Sequence, residues 1–323
     1  MVPRAIPAFA FALCTLALPA RAEDEYPARP VKIVVPFAPG GSTDVVARIL
    51  ADKLAAELKQ SFIVDNRAGA SGNIGADAVA KAPADGYTLL MGTTGVLSIN
   101  AHLFKNMPFD PAKDFAPVVY TSLITNILVV NPAVPARSVA ELIALAKAKP
   151  GALTFASSGA GSSTHLSGEL FKSLAGVDVL HVPYRGSSQA LIDVIAGQVT
   201  MLFDNAPSSL PFVEQGKLRA LAVTSTRRLP NLPDVPTLDE AGVRGYESLS
   251  WSGLVTPAGT PRPVIDKLNA AVGRVLRMED VKQRFASLGV DAVGGTPEQF
   301  AAHVRAESEK WGKLIKTSNI TLN

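Results

Sequence analysis

The chain has 323 residues, 47% of them hydrophobic and 18% charged, with a formal net charge of +3 and one cysteine. So apolar a chain is not disordered; it must build sizeable packed cores, and at this length two domains are expected rather than one. The near balance of charge leaves no footprint for nucleic acid or for an anionic membrane surface.

The first residues read as an export signal. Arg4 supplies a positive start, an apolar run follows from Ile6 to Ala20, and Ala20-Arg21-Ala22 precedes the acidic Glu23-Asp24-Glu25. That order, charged then apolar then small-x-small, is the pattern of a cleaved secretory leader, here 1–22. The run is shorter than the ~20 residues of a membrane span. Cys14 is read as part of the apolar run, because Leu13 stands where lipidation wants a small residue. Cleavage after Ala22 removes Arg4, Arg21 and Cys14, which takes the net charge from +3 to +1 and leaves no thiol chemistry. The expected destination is the periplasm.

Downstream, strand and helix patterns alternate. Val31–Val35 is a β-branched run, 42–58 has apolar residues at helical spacing, 62–64 is strand-like, 72–81 helical and 87–91 a strand. A second series runs through a long strand 118–130, a helix 138–149 opened by the capping box Ser138 and Glu141, a strand 153–156, a helix from about Ser163, and a strand 177–182. A helix 191–196, strands 199–203 and 218–224, a proline-rich loop 229–236, a return strand 251–255 and helices 263–277, 281–288 and 297–316 complete it. The fold class expected is α/β, with mostly parallel sheets flanked by helices. Crossings near 120–126 and 246–255 suggest a discontinuous first domain, 23–122 with 250–323, and a second domain, 123–249.

Three strand-to-helix loops are rich in Gly, Ser and Thr. They are Phe37-Ala38-Pro39-Gly40-Gly41-Ser42-Thr43-Asp44, Gly92-Thr93-Thr94-Gly95, and Ser157-Ser158-Gly159-Ala160-Gly161-Ser162-Ser163-Thr164-His165. In open α/β sheets ligands sit beyond the carboxyl ends of the strands, and a helix N-terminus offers amide donors and partial positive charge to an anion. Gly40 and Gly41 permit close backbone approach, whereas Asp44 reads as a first-turn helix partner. The serines and threonines of these loops read either as ligand donors or as plain turn and cap residues. Arg185, after Tyr184, is a candidate carboxylate clamp or an ordinary surface arginine. Asp204, at a strand end beside Asn205, either receives a ligand donor or holds loop amides and water.

Enzyme patterns are missing. No G-x-S-x-G accompanies the Ser162 to His165 cluster, and no S-x-x-K occurs. His102, His165, His181 and His303 have no metal-ligand spacing, no cysteine partner exists, and neither a dinucleotide fingerprint nor a P-loop is complete. His165 is read as a packing or capping residue. No metal and no cofactor are expected.

Longer motifs carry a resemblance. Pro30-Val31-Lys32-Ile33-Val34-Val35-Pro36-Phe37 with Pro39-Gly40-Gly41-Ser42-Thr43-Asp44, then Asn66-Arg67-Ala68-Gly69-Ala70-Ser71-Gly72-Asn73-Ile74-Gly75 and Asp85-Gly86-Tyr87-Thr88-Leu89, resemble the Bug family, the extracytoplasmic receptors of tripartite tricarboxylate transporters. The likeness continues through His181-Val182-Pro183-Tyr184-Arg185-Gly186, Phe203-Asp204-Asn205 and Val235-Pro236-Thr237-Leu238-Asp239-Glu240-Ala241-Gly242. It implies a two-lobed periplasmic-binding fold that closes on a small carboxylate and delivers it to integral membrane subunits of a transporter. It further implies that one carboxylate is gripped by Phe37–Ser42 and Ser158–Thr164, with Thr93, Thr94, Tyr184 and Asp204 near the pocket and waters bridging the remainder. The order Ala38-Pro39 before the glycines departs from some members and leaves the particular carboxylate open. The alternatives are a ligand-presenting protein for a membrane sensor and, with less support, a periplasmic hydrolase.

Overall fold

The computed structural model describes residues 26–317 and residues 320 and 321; the expected leader, 1–22, lies outside the described residues. In chain order the elements are β1 (Val31–Val35), α1 (Ser42–Leu58), β2 (Phe62–Asn66), α2 (Asn73–Ala80), β3 (Thr88–Thr93), α3 (Asn100–Leu103), β4 (Phe115–Val130), α4 (Val139–Ala148), β5 (Thr154–Ser157) and α5 (Ser163–Ala175). They continue with β6 (Leu180–Pro183), α6 (Ser187–Ile195), β7 (Met201–Asn205), α7 (Ala206–Glu214), β8 (Arg219–Val223), β9 (Leu249–Pro257), α8 (Arg262–Arg277), α9 (Glu279–Ser287), β10 (Val290–Gly294) and α10 (Pro297–Thr317). Among the described residues no helix is long and apolar enough to cross a membrane.

The strands lie in the order β2-β1-β3-β9-β4-β7-β5-β6, with β10 and β8 also paired to β4. β1 is parallel to β2 and β3, and β5 is parallel to β6 and β7. The two parallel groups meet through antiparallel strands. β4 is the link: Phe115 to Thr125 pair with β9, and Asn126 to Val130 pair with β7. At 16 residues it is long enough to serve both halves of the sheet. The architecture is thus α/β with two lobes, and one continuous strand passes from the first to the second.

Local chemistry explains the elements. Val31, Ile33, Val34 and Val35 are all buried, as expected of a parallel strand covered on both faces. α1 buries Val46, Ala47, Leu50, Ala51 and Leu54 against the first half-sheet and stops where Lys59 turns left-handed, φ 53°. α8 and α9 join that same core through Leu268, Val272, Val275, Val281 and Phe285. The second half-sheet has a core on each face, one around Phe155, Phe171, Phe203 and Tyr246 and one around Ile127, Ala190, Leu202 and Leu210. At α4 the Ser138 hydroxyl accepts the Glu141 N–H at 3.2 Å, but the Glu141 carboxylate reaches back to the Arg137 N–H rather than to Ser138.

Some elements depart from the sequence reading. α7 is a helix although Pro207 and Pro211 interrupt its pattern; Pro207 lies in the first turn, where a missing N–H costs nothing. β10 pairs with β4, yet its Val-Asp-Ala-Val-Gly run is too short and mixed to stand out from the helices around it. The expected helix 191–196 begins earlier, at Ser187.

Gly253, in the middle of β9, marks the tightest point of the strand crossing. A Cβ there would lie 2.2 Å from Phe300 Cζ and 2.7 Å from the Val119 carbonyl oxygen. Gly253→Ala is therefore expected to destabilise the fold by about 1–3 kcal/mol through overpacking. Denaturant unfolding checks this, and an unchanged midpoint would show that the crossing has slack.

Candidate functional site

Where the two lobes face each other, a cavity is lined by Phe37, Gly41, Ser42, Thr43, Thr93 and Gly95 from one side. Ser158, Ser162, Ser163, Ser187 and Asn205 line it from the other, and Ile124, Ser250, Trp251 and Ser252 of β4 and β9 form the floor. No Asp, Glu, Lys or Arg is among these residues.

The cavity is built from helix starts. Gly41 is the N-cap of α1 and Ser42 its first residue; Ser162 and Ser163 hold the same places in α5. Ser187 opens α6, and Asn205 is the N-cap of α7. Four helix N-termini therefore converge on one small space. The first-turn amides and the partial positive charge of helix ends favour an anion without any cationic side chain.

A layer behind the wall fixes the loops. Asp44 Oδ2 accepts the Gly40 N–H at 3.0 Å and Arg48 Nε at 2.9 Å, while its Oδ1 accepts from Asn66 Nδ2 at 3.0 Å. Asn66 Nδ2 also donates to the Phe37 carbonyl at 3.1 Å. Burial pushes the Asp44 carboxyl upward, but the hydrogen bonds from Arg48, Gly40 and Asn66 and the Arg48 charge together hold it below the usual carboxylate range. Asp44 is a loop anchor, as its first-turn position suggests, and does not line the cavity.

In the second lobe Thr164 Oγ1 accepts the Ser158 N–H at 3.0 Å and meets the Ser162 hydroxyl at 2.9 Å. Ser162 Oγ caps α5 by accepting the His165 N–H at 3.1 Å, and His165 Nδ1 accepts the Gly161 N–H at 3.1 Å. His165 stacks on His181, ring centroids 4.0 Å apart, and His181 Nε2 lies 2.7 Å from Ser157 Oγ. Burial, together with nearby positive charge, pushes His165 down to about 3 and His181 down to about 4, so both rings are neutral props for the loop.

The expected site residues thus fall into several groups. Phe37, Gly41, Ser42, Thr93, Ser158, Ser162 and Ser163 line the cavity. Gly40, Gly161, Thr164 and Thr94 support it; the Thr94 hydroxyl accepts the Trp251 N–H at 2.9 Å. Ala38 lies against the other lobe, where a Cβ on Gly186 would meet its Cβ at 3.3 Å. Tyr184 and Arg185 line an adjoining groove. Asp204 sits one layer back, fully buried: its Oδ1 accepts from Ser187 Oγ at 2.5 Å, and its Oδ2 accepts from the Ser208 hydroxyl.

Thr93 differs from the other hydroxyls, because its Oγ1 is buried and has no hydrogen-bond partner among the described residues. A buried orphan of this kind costs about 1–3 kcal/mol unless something partners it.

Ser187 and Asn205 are wall residues that sequence reasoning passed over, although each carries the strand–polar–helix signal of the expected loops. Thr43, next to an expected residue, completes the α1 turn. Ser250 and Ser252 carried no such signal, since hydroxyls on a strand look like any solvent-facing positions.

Asp204 gives the site a measurable titration. Burial raises its carboxyl from 3.8 to about 6, against the hydrogen bonds of Ser187, Ser208 and the Asn205 N–H. Stability owed to the protonated form is full below 3.8 and is lost as pH rises through about 6. Between about pH 4 and pH 7 an Asp204→Asn variant is therefore expected to gain on the wild type by on the order of 2–3 kcal/mol. Parallel stability profiles for the two proteins would contradict this.

Comparison with known proteins shows the family. Residues 46–320 match the family described as the tripartite tricarboxylate transporter family receptor. The chain is 41% identical over 321 residues to a UPF0065 protein from the tcbD-tcbE intergenic region of Pseudomonas sp. (strain P51), covering 99% of this chain and 95% of that protein. It is 38% identical over 300 residues to the protein BugT of Bordetella pertussis, covering 93% of this chain and 92% of BugT. Among solved structures, R. palustris Rpa4515 with adipate superposes with a TM-score of 0.90 at 43% identity, over 92% of this chain and 99% of that one. The chain belongs to the tripartite tricarboxylate transporter family of receptors, the group that includes the Bug proteins.

Proposed function

We propose that the protein captures a small carboxylate in the cavity between its lobes and presents it to the integral membrane subunits of a tripartite tricarboxylate-type transporter. The observation that carries this reading is the convergence of four helix N-termini on a cavity with no charged lining residue. Such a site recognises an anion through backbone amides and hydroxyls. A tetrahedral oxyanion is a competing fit on charge alone; the adipate bound by Rpa4515 favours a carboxylate here. The unpartnered Thr93 hydroxyl supplies one more donor.

In this reading capture is coupled to closure. The lobes 23–122 with 250–323 and 123–249 swing about β4 and the chain leading into β9, and the ligand is held by both. Hydrogen bonds already join the lobes: Ser188 Oγ donates to the Pro39 carbonyl at 2.6 Å, and the Ser71 hydroxyl donates to the Ala160 carbonyl. A ligand gripped by both lobes stabilises the closed state by its differential affinity for it. The leader-like N-terminus, the family and the transporter role together support a periplasmic location.

Gly41 offers the direct test. Its φ of −79° suits any residue, so a substitution does not strain the loop. An added Cβ would lie 3.9 Å from Ser187 Cβ of the opposite lobe, which is ordinary contact, but the branches of valine would reach further into the cavity. Gly41→Val is expected to fold, by circular dichroism, and to lose carboxylate binding in calorimetry. Ser162→Ala, which removes a helix cap, is expected to lower stability by about 0.5–2 kcal/mol. If folded Gly41→Val binds the best carboxylate like wild type, or the neutral amide of that carboxylate binds as tightly, the carboxylate site is wrong.

A further inference from the structure

Two carboxylates stand one layer behind the cavity wall, and they differ in company. Asp44 has the Arg48 guanidinium against it at 2.9 Å. Asp204, fully buried at the end of β7, is met by hydroxyls and an amide instead. Its Oδ1 accepts from the Ser187 hydroxyl at 2.5 Å, its Oδ2 accepts from the Ser208 hydroxyl, and the Asn205 N–H donates to the same carboxyl.

The elements packed on β7 bring no charge that offsets it. α6 carries Asp193, held by the Tyr184 phenol at 2.6 Å, and α7 carries Glu214, exposed in its last turn. α5 carries the neutral His165 and the pair Glu169 and Lys172, 3.0 Å apart. β4 has Tyr120, in its first-lobe half, and β5 has no titratable residue. Arg185, two residues before α6, is exposed. None of these is among the causes that act on Asp204, which are burial and hydrogen bonds.

Ser187 connects this carboxyl to the cavity. It opens α6 and lines the wall, its Cβ 3.9 Å from the place that a Cβ on Gly41 would take. Among the described residues Asp204 is the one partner of its hydroxyl. A serine hydroxyl has a single proton to donate. When Asp204 is ionised, the carboxylate holds that proton, and the serine oxygen turns lone pairs toward the cavity. When Asp204 is protonated, its own O–H donates to Ser187 Oγ, and the serine proton is free to point at a bound anion. The Ser208 donor stays on Oδ2 in both states. Charge acts in the same direction: two anions separated by one hydroxyl disfavour each other, so an anion in the cavity raises the carboxyl further.

We propose that Asp204 is a positioning residue that couples capture to a proton: it is protonated as the anion enters, and Ser187 becomes a ligand donor in that state. This rests on the carboxylate reading of the cavity and adds a means of release, since loss of the proton loosens the ligand. Burial already holds the Asp204 carboxyl at about 6. Affinity is therefore full below that pH. As pH rises through it, affinity falls by up to about tenfold per unit until the higher pKa of the filled site is passed.

The test is calorimetric titration of the wild type and Asp204→Asn with malate, glutarate, adipate and benzoate at about pH 6.5, 7.5 and 8.5, in two buffers of different ionisation enthalpy. Ordinary carboxylic acids are ionised over that range, so the ligand's own titration does not enter. The best of these acids is expected to lose about tenfold in wild-type affinity across the range, with proton uptake on binding. Asp204→Asn, folded by circular dichroism, keeps an amide donor on Ser187 and should bind equally well at all three pH values with no proton taken up. Ser187→Ala should bind about tenfold more weakly than the wild type at the lowest pH. A wild-type affinity that does not change with pH, the same pH dependence in Asp204→Asn, or undiminished binding by Ser187→Ala would overturn the coupling and leave the carboxylate site standing. Failure of all four acids to bind the wild type at any pH would overturn both.

Discussion

In the proposed reading the structure answers one electrostatic constraint: an anion is to be held between two lobes by helix ends and hydroxyls, without a cationic side chain. In a β-strand–helix unit the helix starts at the carboxyl end of its strand. β1 with α1, β5 with α5, β6 with α6 and β7 with α7 each put one N-terminus at such an edge. The edges of two half-sheets have to face each other for all four to meet. β4 makes that possible, because its 16 residues bind β9 in one half and β7 in the other. The antiparallel strands at the centre of the sheet follow from this geometry. A buried arginine at the inner site would demand a large desolvation cost and would be slow to release its partner; spread dipoles avoid both.

Dipoles act only if they are held still, and much of the buried polar chemistry serves that end. Asn126 sits where β4 passes between halves, and its Oδ1 accepts from Asn205 Nδ2 at 2.7 Å and from the Ser250 hydroxyl at 2.9 Å. Ser250 Oγ meets Ser163 Oγ at 2.6 Å, so the starts of α5 and α7 and the floor strand share one network. Asp44 with Asn66 does the same for the α1 loop, the neutral His165–His181 stack for the α5 loop, and Asp204 for α6. A buried network is stabilising only when nearly every member is satisfied. The Thr93 hydroxyl, alone among the cavity-lining side chains in having its oxygen buried without a partner, stands out against that background.

The alternation of strands and helices, the long central strand and the Gly40-Gly41-Ser42 and Ser158–Thr164 loops were legible in the sequence, because glycine and hydroxyl residues between a β-branched run and an amphipathic run have few other uses. The division of labour inside those loops was not. Ser162, Ser163 and Thr164 look alike in one dimension, but the Thr164 hydroxyl bonds back to Ser158 while its neighbours face the cavity. Ser187 carried the same signal as the first loops and was overshadowed by the more conspicuous Tyr184-Arg185 pair. Pro207 and Pro211 hid α7, and with it the meaning of Asn205 as a helix cap. Asp204 was placed at the site by its strand end, yet its full burial, which lifts its carboxyl to about 6, is a tertiary property that no local pattern encodes. Ser250, Ser252 and Ile124 reach the cavity only through the pairing of β4 with β9, strands separated by over a hundred residues.

The most direct measurement is a crystal structure of the protein with a bound dicarboxylate such as adipate. The account predicts one carboxylate in the inner cavity, its oxygens within hydrogen-bond reach of the amides that open α1 and α5 and of the Thr93 hydroxyl, with no lysine or arginine touching it. An inner carboxylate paired to a cationic side chain, or a ligand bound outside the space between the lobes, would contradict it.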